Sequence, residues 1–241
     1  MNLEPETLSW DLETLNASGI RLVLFDVDGT LIRTGGAGVQ AFARALEAAF
    51  GVPNGTARLK FGGRTDVSLV RELFSHHQIE ASAKNFQRFF EAYIFWLQKL
   101  MLECAGGVCS GVPEFYRAME TRPQPPLIGL LTGNIRMGAQ IKLQRYQWWE
   151  KFPFGGFGDD HEDRAQIAAI ALQRGSQRLG RPLRGGEVLV IGDTPLDIAC
   201  ARAVGAKVLA VATGSFSVEK LREHQPDWAV EDLSKIALDQ R

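Results

Sequence analysis

The 241-residue chain predicts an α/β fold, a doubly wound parallel sheet with an all-helical insertion. From residue 127 onward, short apolar segments typical of buried strands alternate with helical segments. One more apolar segment of this kind lies near the start of the chain. Residues 32–126 show helical periodicity and no convincing strand. We therefore predict an α/β domain from residues 1–31 and 127–241, and a helical domain from residues 32–126.

The first predicted strand is the apolar run Leu22–Phe25, which leads directly into Asp26, Asp28 and Gly29. Side chains alternate along an extended chain, so Asp26 and Asp28 point to the same side. Two neighbouring carboxylates at the end of a buried strand need a cation, a shared proton or a strong hydrogen-bond donor. A solvated acidic turn is the alternative, because Asp-Gly is also a common turn sequence.

The insertion begins with a glycine-rich stretch, residues 35–38, that we interpret as a hinge. Apolar residues at i, i+3 and i+4 spacing predict two helices. The apolar faces are Val39, Phe42, Ala43, Leu46, Ala49 and Phe50 in the first, and Phe86, Phe89, Phe90, Tyr93, Ile94, Leu97, Leu100 and Met101 in the second. We interpret the aromatic stripe of the second helix as the core of a helical bundle. Between the two helices, the glycine loop Lys60–Asp66 leads into a further helix that Thr65 can cap.

The rest of the chain alternates strands with helices. Strands are predicted at residues 127–131, 187–191, 207–212 and, more weakly, 227–230; helices are predicted at residues 136–146, 164–179, 196–204 and at the end of the chain. Thr132 and Asp193 follow two of these strands. Because the carboxyl ends of parallel strands share one edge of a sheet, we expect both side chains to lie close to Asp26. A further short helix is predicted before residue 18 from Leu8, Leu12 and Leu15.

Composition argues against several classes of partner. The net charge of −1 gives no reason to expect nucleic acid or an anionic membrane surface, and no apolar run is long enough to span a membrane. The acidic N-terminal segment has the wrong charge for an export signal. Neither the three cysteines (Cys104, Cys109 and Cys200) nor the four histidines have metal-ligand spacing. We therefore expect a cytoplasmic protein with reduced thiols and no zinc site. We expect the protein to be either a monomer or a homodimer.

Four segments carry a resemblance to a known family. Asp26-Val27-Asp28-Gly29-Thr30-Leu31 after an apolar strand resembles the first motif of the haloacid-dehalogenase-like (HAD) superfamily. Leu131-Thr132-Gly133-Asn134 resembles its second motif, and Gly192-Asp193-Thr194-Pro195-Leu196-Asp197 its final acidic motif. The glycine loop resembles the cap loop of the phosphoglycolate-phosphatase-like branch. The resemblance implies that the helical insertion is a cap that closes over the site.

The resemblance also implies a phosphohydrolase with an aspartate nucleophile. Asp26 would attack phosphorus, and Asp28 would act as general acid and base. Dehalogenases and phosphonate hydrolases of the superfamily replace the second aspartate, so Asp28 favours phosphoryl transfer over carbon–halogen or carbon–phosphorus cleavage. Thr132 would bind phosphate oxygens together with Gly133 and Asn134. For this segment considered alone, a helix cap without a ligand is the alternative.

The basic residue of the third motif has two candidates. Arg164 begins a helix after a glycine-acidic loop, and its guanidinium could bind the phosphate and Asp26 with two nitrogens. Lys151 is the other candidate. We prefer Arg164, and Asp197 could either hold it or reach a water ligand of a metal ion.

Asp26, Asp193 and the main-chain oxygen of Asp28 would form an oxygen-only site suited to Mg²⁺. Arg64 and Thr65 are candidates for substrate binding, although an ordinary loop with a helix cap explains them equally well. The predicted function is Mg²⁺-dependent hydrolysis of a small phosphomonoester through an aspartyl-phosphate. The alternatives are a phosphomutase or phosphotransferase of the same superfamily, and a catalytically idle binding protein.

Overall fold

The computed structural model describes residues 19–236, which form a six-stranded parallel sheet with helices on both faces and a separate helical bundle. In chain order the strands are β1 (Leu22–Phe25), β2 (Ile32–Arg33), β3 (Gly107–Val108), β4 (Leu127–Leu131), β5 (Gly155–Gly156), β6 (Val188–Gly192), β7 (Lys207–Val211) and β8 (Trp228–Val230). The helices are α1 (Ala37–Phe50), α2 (Asp66–His76), α3 (Ala83–Glu103), α4 (Val112–Glu120), α5 (Arg136–Gln144), α6 (Arg164–Leu179), α7 (Pro195–Ala203) and α8 (Val218–Arg222). Single 3₁₀ turns lie at Trp149–Lys151, Gly185–Glu187 and Leu233–Lys235. The helix predicted before residue 18 lies outside the described residues.

The sheet confirms the predicted fold class. Its order is β5-β4-β1-β6-β7-β8, with every pairing parallel. Residues 22–25 of β1 pair in register with residues 127–130 of β4 and residues 188–191 of β6. Leu24 belongs to the apolar cluster on one face of the sheet and Phe25 to the cluster on the other. Since both faces are covered, the central strands read as continuous apolar runs.

Helices cover the two faces of the sheet. Ile167 of α6 and Ile198 of α7 pack in the cluster that contains Leu24. Phe115 of α4 and Leu143 of α5 pack in the opposite cluster, where the rings of Phe25 and Phe115 meet edge to face at 6.2 Å. This three-layer arrangement leaves the carboxyl edge of the strands open to ligands.

Local capping rules fix where α6 and α7 begin. Asp163 caps α6 by accepting a hydrogen bond from the main-chain N–H of Ala165. Thr194 and Asp197 form a reciprocal capping box at the start of α7, and Pro195 takes the first helical position. These caps place Arg164 and Asp197 in the first turns of helices that start at the carboxyl edge of the sheet.

The bundle consists of α1, α2 and α3, whose apolar side chains form a cluster of their own. Phe42 of α1 contacts Tyr93 of α3, with ring centroids 4.7 Å apart, and Phe74 of α2 contacts Phe89. Phe89, Tyr93 and Leu97 are all fully buried. The interpretation of this aromatic stripe as the core of a helical bundle is confirmed. Within residues 19–236, the helices are too short or not apolar enough to cross a membrane.

Two details of the predicted organisation are wrong. The insertion contains strands, because β2 and β3 pair as a short antiparallel ribbon below the bundle. In addition, β5 lies in a segment predicted as loop and pairs with the end of β4. The domain boundary at residue 126 stays a prediction. We propose an earlier boundary near Glu103, because α4 packs its Phe115 and Met119 against the sheet and outside the bundle cluster.

Candidate active site

The loops after β1, β4 and β6 meet at the carboxyl edge of the sheet, directly below the bundle. Together they enclose a cavity of about 490 Å³. Its sheet side is lined by polar residues that include Asp26, Thr132 and Asp193, and its bundle side by Phe42 and Tyr93. The three strand-end side chains that the sequence predicted to converge therefore line one cavity.

Three buried acids lie together on the sheet side. Asp26, Asp193 and Asp197 each offer a carboxylate oxygen, and these oxygens all lie within 4.8 Å of one another. Burial, together with the charges of Asp197 and Asp28, raises the pKa of Asp26 to about 7, although Arg164 opposes this rise. Burial and the charges of Asp197 and Asp26 raise the pKa of Asp193 to about 9.

Such a group of mutually repelling carboxylates suits a divalent cation. Hard oxygen donors at this spacing are the ligands that Mg²⁺ prefers, and a cation relieves the repulsion that raises the pKa values. Thr30 donates a hydrogen bond to Oδ1 of Asp193 at 3.2 Å and fixes the orientation of that carboxylate. The residues present therefore fit a divalent cation.

Gly29 allows the first loop to approach Asp193. Its φ angle is +85°, and a Cβ at this position would lie 2.5 Å from Oδ2 of Asp193. Any other residue would both strain the backbone and push the carboxylate away from Asp26. The glycine of the opening motif is thus required by the packing of two strand ends.

Arg164 is the basic residue beside the three acids. Its Nη2 lies 3.6 Å from Oδ1 of Asp26 and is hydrogen-bonded to Oδ1 of Asp197. Burial disfavours the charge on the guanidinium, but Asp197 and Asp26 outweigh it and raise the pKa of Arg164. Lys151 instead lies over the rings of Tyr116 and Trp148, with Nζ 4.9 and 5.4 Å from their centroids. Of the two candidates, only Arg164 lies in the site.

Both carboxylate oxygens of Asp197 are in use. Oδ1 accepts from Arg164, while Oδ2 accepts from the main-chain N–H of Thr194 at 3.0 Å and from its hydroxyl at 2.6 Å. This matches the alternative in which Asp197 holds Arg164. Asp197 therefore orients the guanidinium toward Asp26.

Asp28 lines the same cavity and has its own hydrogen-bond network. Its Oδ2 accepts hydrogen bonds from Nζ of Lys142 at 2.6 Å and from Nδ2 of Asn134 at 2.7 Å. Asn134 also donates to the hydroxyl oxygen of Thr132 at 2.8 Å and accepts from Lys142. Asn134 of the second motif thus contacts Asp28, and it lines the cavity together with Thr132 and Gly133.

The loop before α2 rests on the sheet domain. The main-chain N–H of Asp66 donates to Gly133 O, and Oδ2 of Asp66 accepts from the main-chain N–H of Ile135, both at 2.8 Å. Thr65 caps α2 as predicted, and its hydroxyl donates to the main-chain oxygen of Glu162 at 2.9 Å. Arg64 lines the cavity but is paired with Glu72. A role of Arg64 and Thr65 in substrate binding stays a prediction.

Lys142 and Tyr93 also line the cavity, and neither was predicted as a site residue from the sequence. Lys142 lies one helical turn from Ala139, within the apolar face that also carries Leu143, and a lysine on a buried face was the available signal. The hydroxyl of Tyr93 is buried and has no hydrogen-bond partner within residues 19–236. Only the fold shows that this residue of the aromatic stripe lines the cavity.

Known proteins resemble the chain along most of its length. A family model described as HAD-hydrolase-like matches residues 166–236. A protein of Caldanaerobacter subterraneus, provisionally named pyrophosphatase PpaX, is 26% identical over 224 residues, which cover 90% of this chain and 93% of the relative. A protein of Clostridium perfringens with the same name is 23% identical over 223 residues, 90% of this chain and 95% of the relative.

Solved structures share the whole fold. A predicted phosphoglycolate phosphatase from Haemophilus somnus has a TM-score of 0.68 at 19% identity, with 90% of this chain and 96% of that chain covered. CbbY from Rhodobacter sphaeroides, in complex with phosphate, has a TM-score of 0.69 at 16% identity, with 91% and 97% covered. A parallel sheet with an acidic site at its carboxyl edge, below a helical bundle, defines a class of α/β hydrolases. Within that class, the chain is similar to proteins of the HAD-like superfamily, the family that its motifs resemble.

Proposed function

We propose that the protein is a Mg²⁺-dependent phosphatase that hydrolyses a small phosphomonoester through an aspartyl-phosphate on Asp26. The observation that carries the proposal is the position of Asp26, which is buried 3.6 Å from Arg164 and lies within 4.8 Å of Asp193 and Asp197. A nucleophilic carboxylate beside a fixed cation in a cavity suits attack on phosphorus.

In the first step, the carboxylate of Asp26 attacks phosphorus and the ester P–O bond breaks. Arg164 binds equatorial phosphate oxygens and is held in place by Asp197. The hydroxyl of Thr132 and the main-chain N–H groups that follow it bind the remaining oxygens. Asp28 gives a proton to the oxygen of the leaving alcohol.

In the second step, water attacks the phosphorus of the aspartyl-phosphate and Asp28 takes its proton. The bond between Asp26 and phosphorus breaks, which releases inorganic phosphate and restores the carboxylate. Asp26, Asp193 and the main-chain oxygen of Asp28 would hold Mg²⁺, which would offset the negative charge of the phosphate and of the acids around it. The bundle above the site acts as a cap that excludes bulk water from the cavity.

A phosphomonoester panel, assayed for phosphate release with Mg²⁺ and with EDTA, tests this proposal. Pyrophosphate belongs in the panel because of the names of the curated relatives. We expect Mg²⁺-dependent release, and the variant Asp26→Asn should lose activity by a factor on the order of 10⁴ or more. Glu114→Gln, which changes an exposed acid of α4, is the matched control and should keep full activity.

Each rival function gives a different result in the same assay. A phosphomutase would return the phosphoryl group to the substrate, so an isomerised ester would accumulate in place of inorganic phosphate. A binding protein would release no phosphate from any ester. Activity that is unchanged in Asp26→Asn would overturn the assignment of the nucleophile.

A further inference from the structure

Lys142 is a buried cation inside the site, on helix α5. Only 5% of its side chain is exposed, and its Nζ lies 2.6 Å from Oδ2 of Asp28. The ammonium also donates to Oδ1 of Asn134. A buried ammonium is costly unless it is paired and hydrogen-bonded, and this one is both.

Lys142 and Asn134 act on the same oxygen atom. Nδ2 of Asn134 lies 2.7 Å from Oδ2 of Asp28, and Asn134 is in turn bonded to Thr132. Within residues 19–236, both hydrogen bonds to the Asp28 carboxylate go to Oδ2. The side chain of Asp28 is 39% exposed and lines the cavity, so this arrangement presents Oδ1 to a reactant.

Packing alone does not require a lysine at position 142. The neighbouring buried residues of α5 are Gly138, Ala139 and Leu143, and an unbranched apolar side chain such as methionine would fill the same space. What the ammonium adds is a fixed, charged donor at the Asp28 carboxylate.

We propose that Lys142 is a positioning residue that, together with Asn134, locks Asp28 in the orientation needed for proton transfer. The proposal rests on the proposed function. Oδ1 of Asp28 passes its proton to the leaving oxygen as the P–O bond breaks and Asp26 bonds to phosphorus. It later takes a proton from the attacking water. Lys142 contacts Asp28 and Asn134 and does not touch the substrate.

This role predicts a loss that depends on the leaving group. An alkoxide leaves poorly unless it is protonated, whereas a nitrophenolate leaves without help from an acid. A variant with a misplaced Asp28 should therefore lose activity toward alkyl esters and keep it toward p-nitrophenyl phosphate. A defect in folding or in metal binding would lower both activities equally.

The test compares Lys142→Met with wild type, with Mg²⁺ present, on p-nitrophenyl phosphate and on an alkyl phosphomonoester such as glycerol phosphate. The quantity measured is kcat/KM, because it reports the first chemical step. We expect a loss of about 10²-fold for the alkyl ester and less than about fivefold for the aryl ester. Lys151→Met, a surface lysine outside the site, should leave both values unchanged.

If Lys142→Met does not fold, Asn134→Ser tests the positioning of Asp28 instead. It removes the other donor to Oδ2 of Asp28, so it should show the same selective loss of kcat/KM for the alkyl ester. The double variant should lose less kcat/KM than the two single losses combined. Equal losses on both esters, or no loss, would overturn the positioning role alone. Wild-type protein that releases no phosphate from either ester, or from the wider panel, would overturn the proposed function and this role with it.

Discussion

Nη1 of Arg164 donates a hydrogen bond to the main-chain oxygen of Gly63 at 3.0 Å, which joins the sheet domain to the loop that precedes α2. The other terminal nitrogen of the same guanidinium faces Asp26 at 3.6 Å and is bonded to Asp197. One side chain thus contacts the proposed nucleophile and the cap at the same time. The same guanidinium therefore both balances the charges of Asp26 and Asp197 and holds the loop that precedes α2 over the site.

The first prediction concerns this arginine. Arg164→Lys keeps the charge but loses the planar fork that reaches Asp26, Asp197 and Gly63 together. We expect kcat/KM for phosphate release to fall by about 10²-fold. Lys151→Met should stay within about twofold of wild type, since Lys151 lies on aromatic rings outside the site. Comparable losses in the two variants would contradict the placement of the third-motif cation.

The second prediction concerns the stability of the metal-free protein. The pKa values of Asp26, about 7, and Asp193, about 9, lie above the ordinary value for aspartate. Between about pH 4 and these values, the folded state holds protons that the unfolded state has released. The contribution of Asp26 and Asp193 to the free energy of unfolding is therefore fully present at low pH. It is lost as the pH rises through about 7 to 9.

Thermal unfolding in EDTA at about pH 5, 7 and 9 measures this effect, and Mg²⁺ should restore stability at the alkaline end. Asp193→Asn removes one of the groups and should flatten the decrease in EDTA. A metal-free protein that becomes more stable between about pH 5 and 9 would show that these acids are not buried together.

The sequence predicted the acidic edge of the sheet because its signals are strong and local. Strands buried on both faces are continuously apolar, and β1, β4 and β6 each lead into a polar residue whose position follows from the parallel topology. Strand β5 could not be found in this way, since Gly155 and Gly156 carry no side-chain pattern and pair only through their backbone. The contacts of Lys142 likewise depend on the packing of α5 against the loop after β1.

The third prediction concerns Asp66, whose carboxylate accepts from the main-chain N–H of Ile135. Asp66→Ala leaves that N–H without its acceptor, which should lower the free energy of unfolding by about 1–3 kcal/mol. Asp66→Asn keeps an acceptor and should cost less. Urea unfolding compares the three proteins. Equal stability of Asp66→Ala and wild type would show that water replaces this contact in solution.

The fourth prediction uses two tyrosines with opposite surroundings. The hydroxyl of Tyr93 is buried in the cavity wall without a hydrogen-bond partner among residues 19–236, whereas the hydroxyl of Tyr116 donates to the main-chain oxygen of Lys151 at 3.0 Å. A buried polar group without a partner costs free energy, and a paired one stabilises. Tyr93→Phe should therefore raise the free energy of unfolding by about 1 kcal/mol, and Tyr116→Phe should lower it by about as much.

Although Tyr93→Phe should stabilise the fold, we expect it to weaken substrate binding. Tyr93 lines the cavity, and its buried hydroxyl has no partner among residues 19–236, so Tyr93→Phe should raise KM several-fold while the protein becomes more stable. Tyr116→Phe, outside the cavity, should leave KM unchanged. Urea unfolding and steady-state kinetics on the same preparations test both claims. If Tyr93→Phe is destabilised and its KM is unchanged, the hydroxyl serves the packing of the bundle and not the substrate.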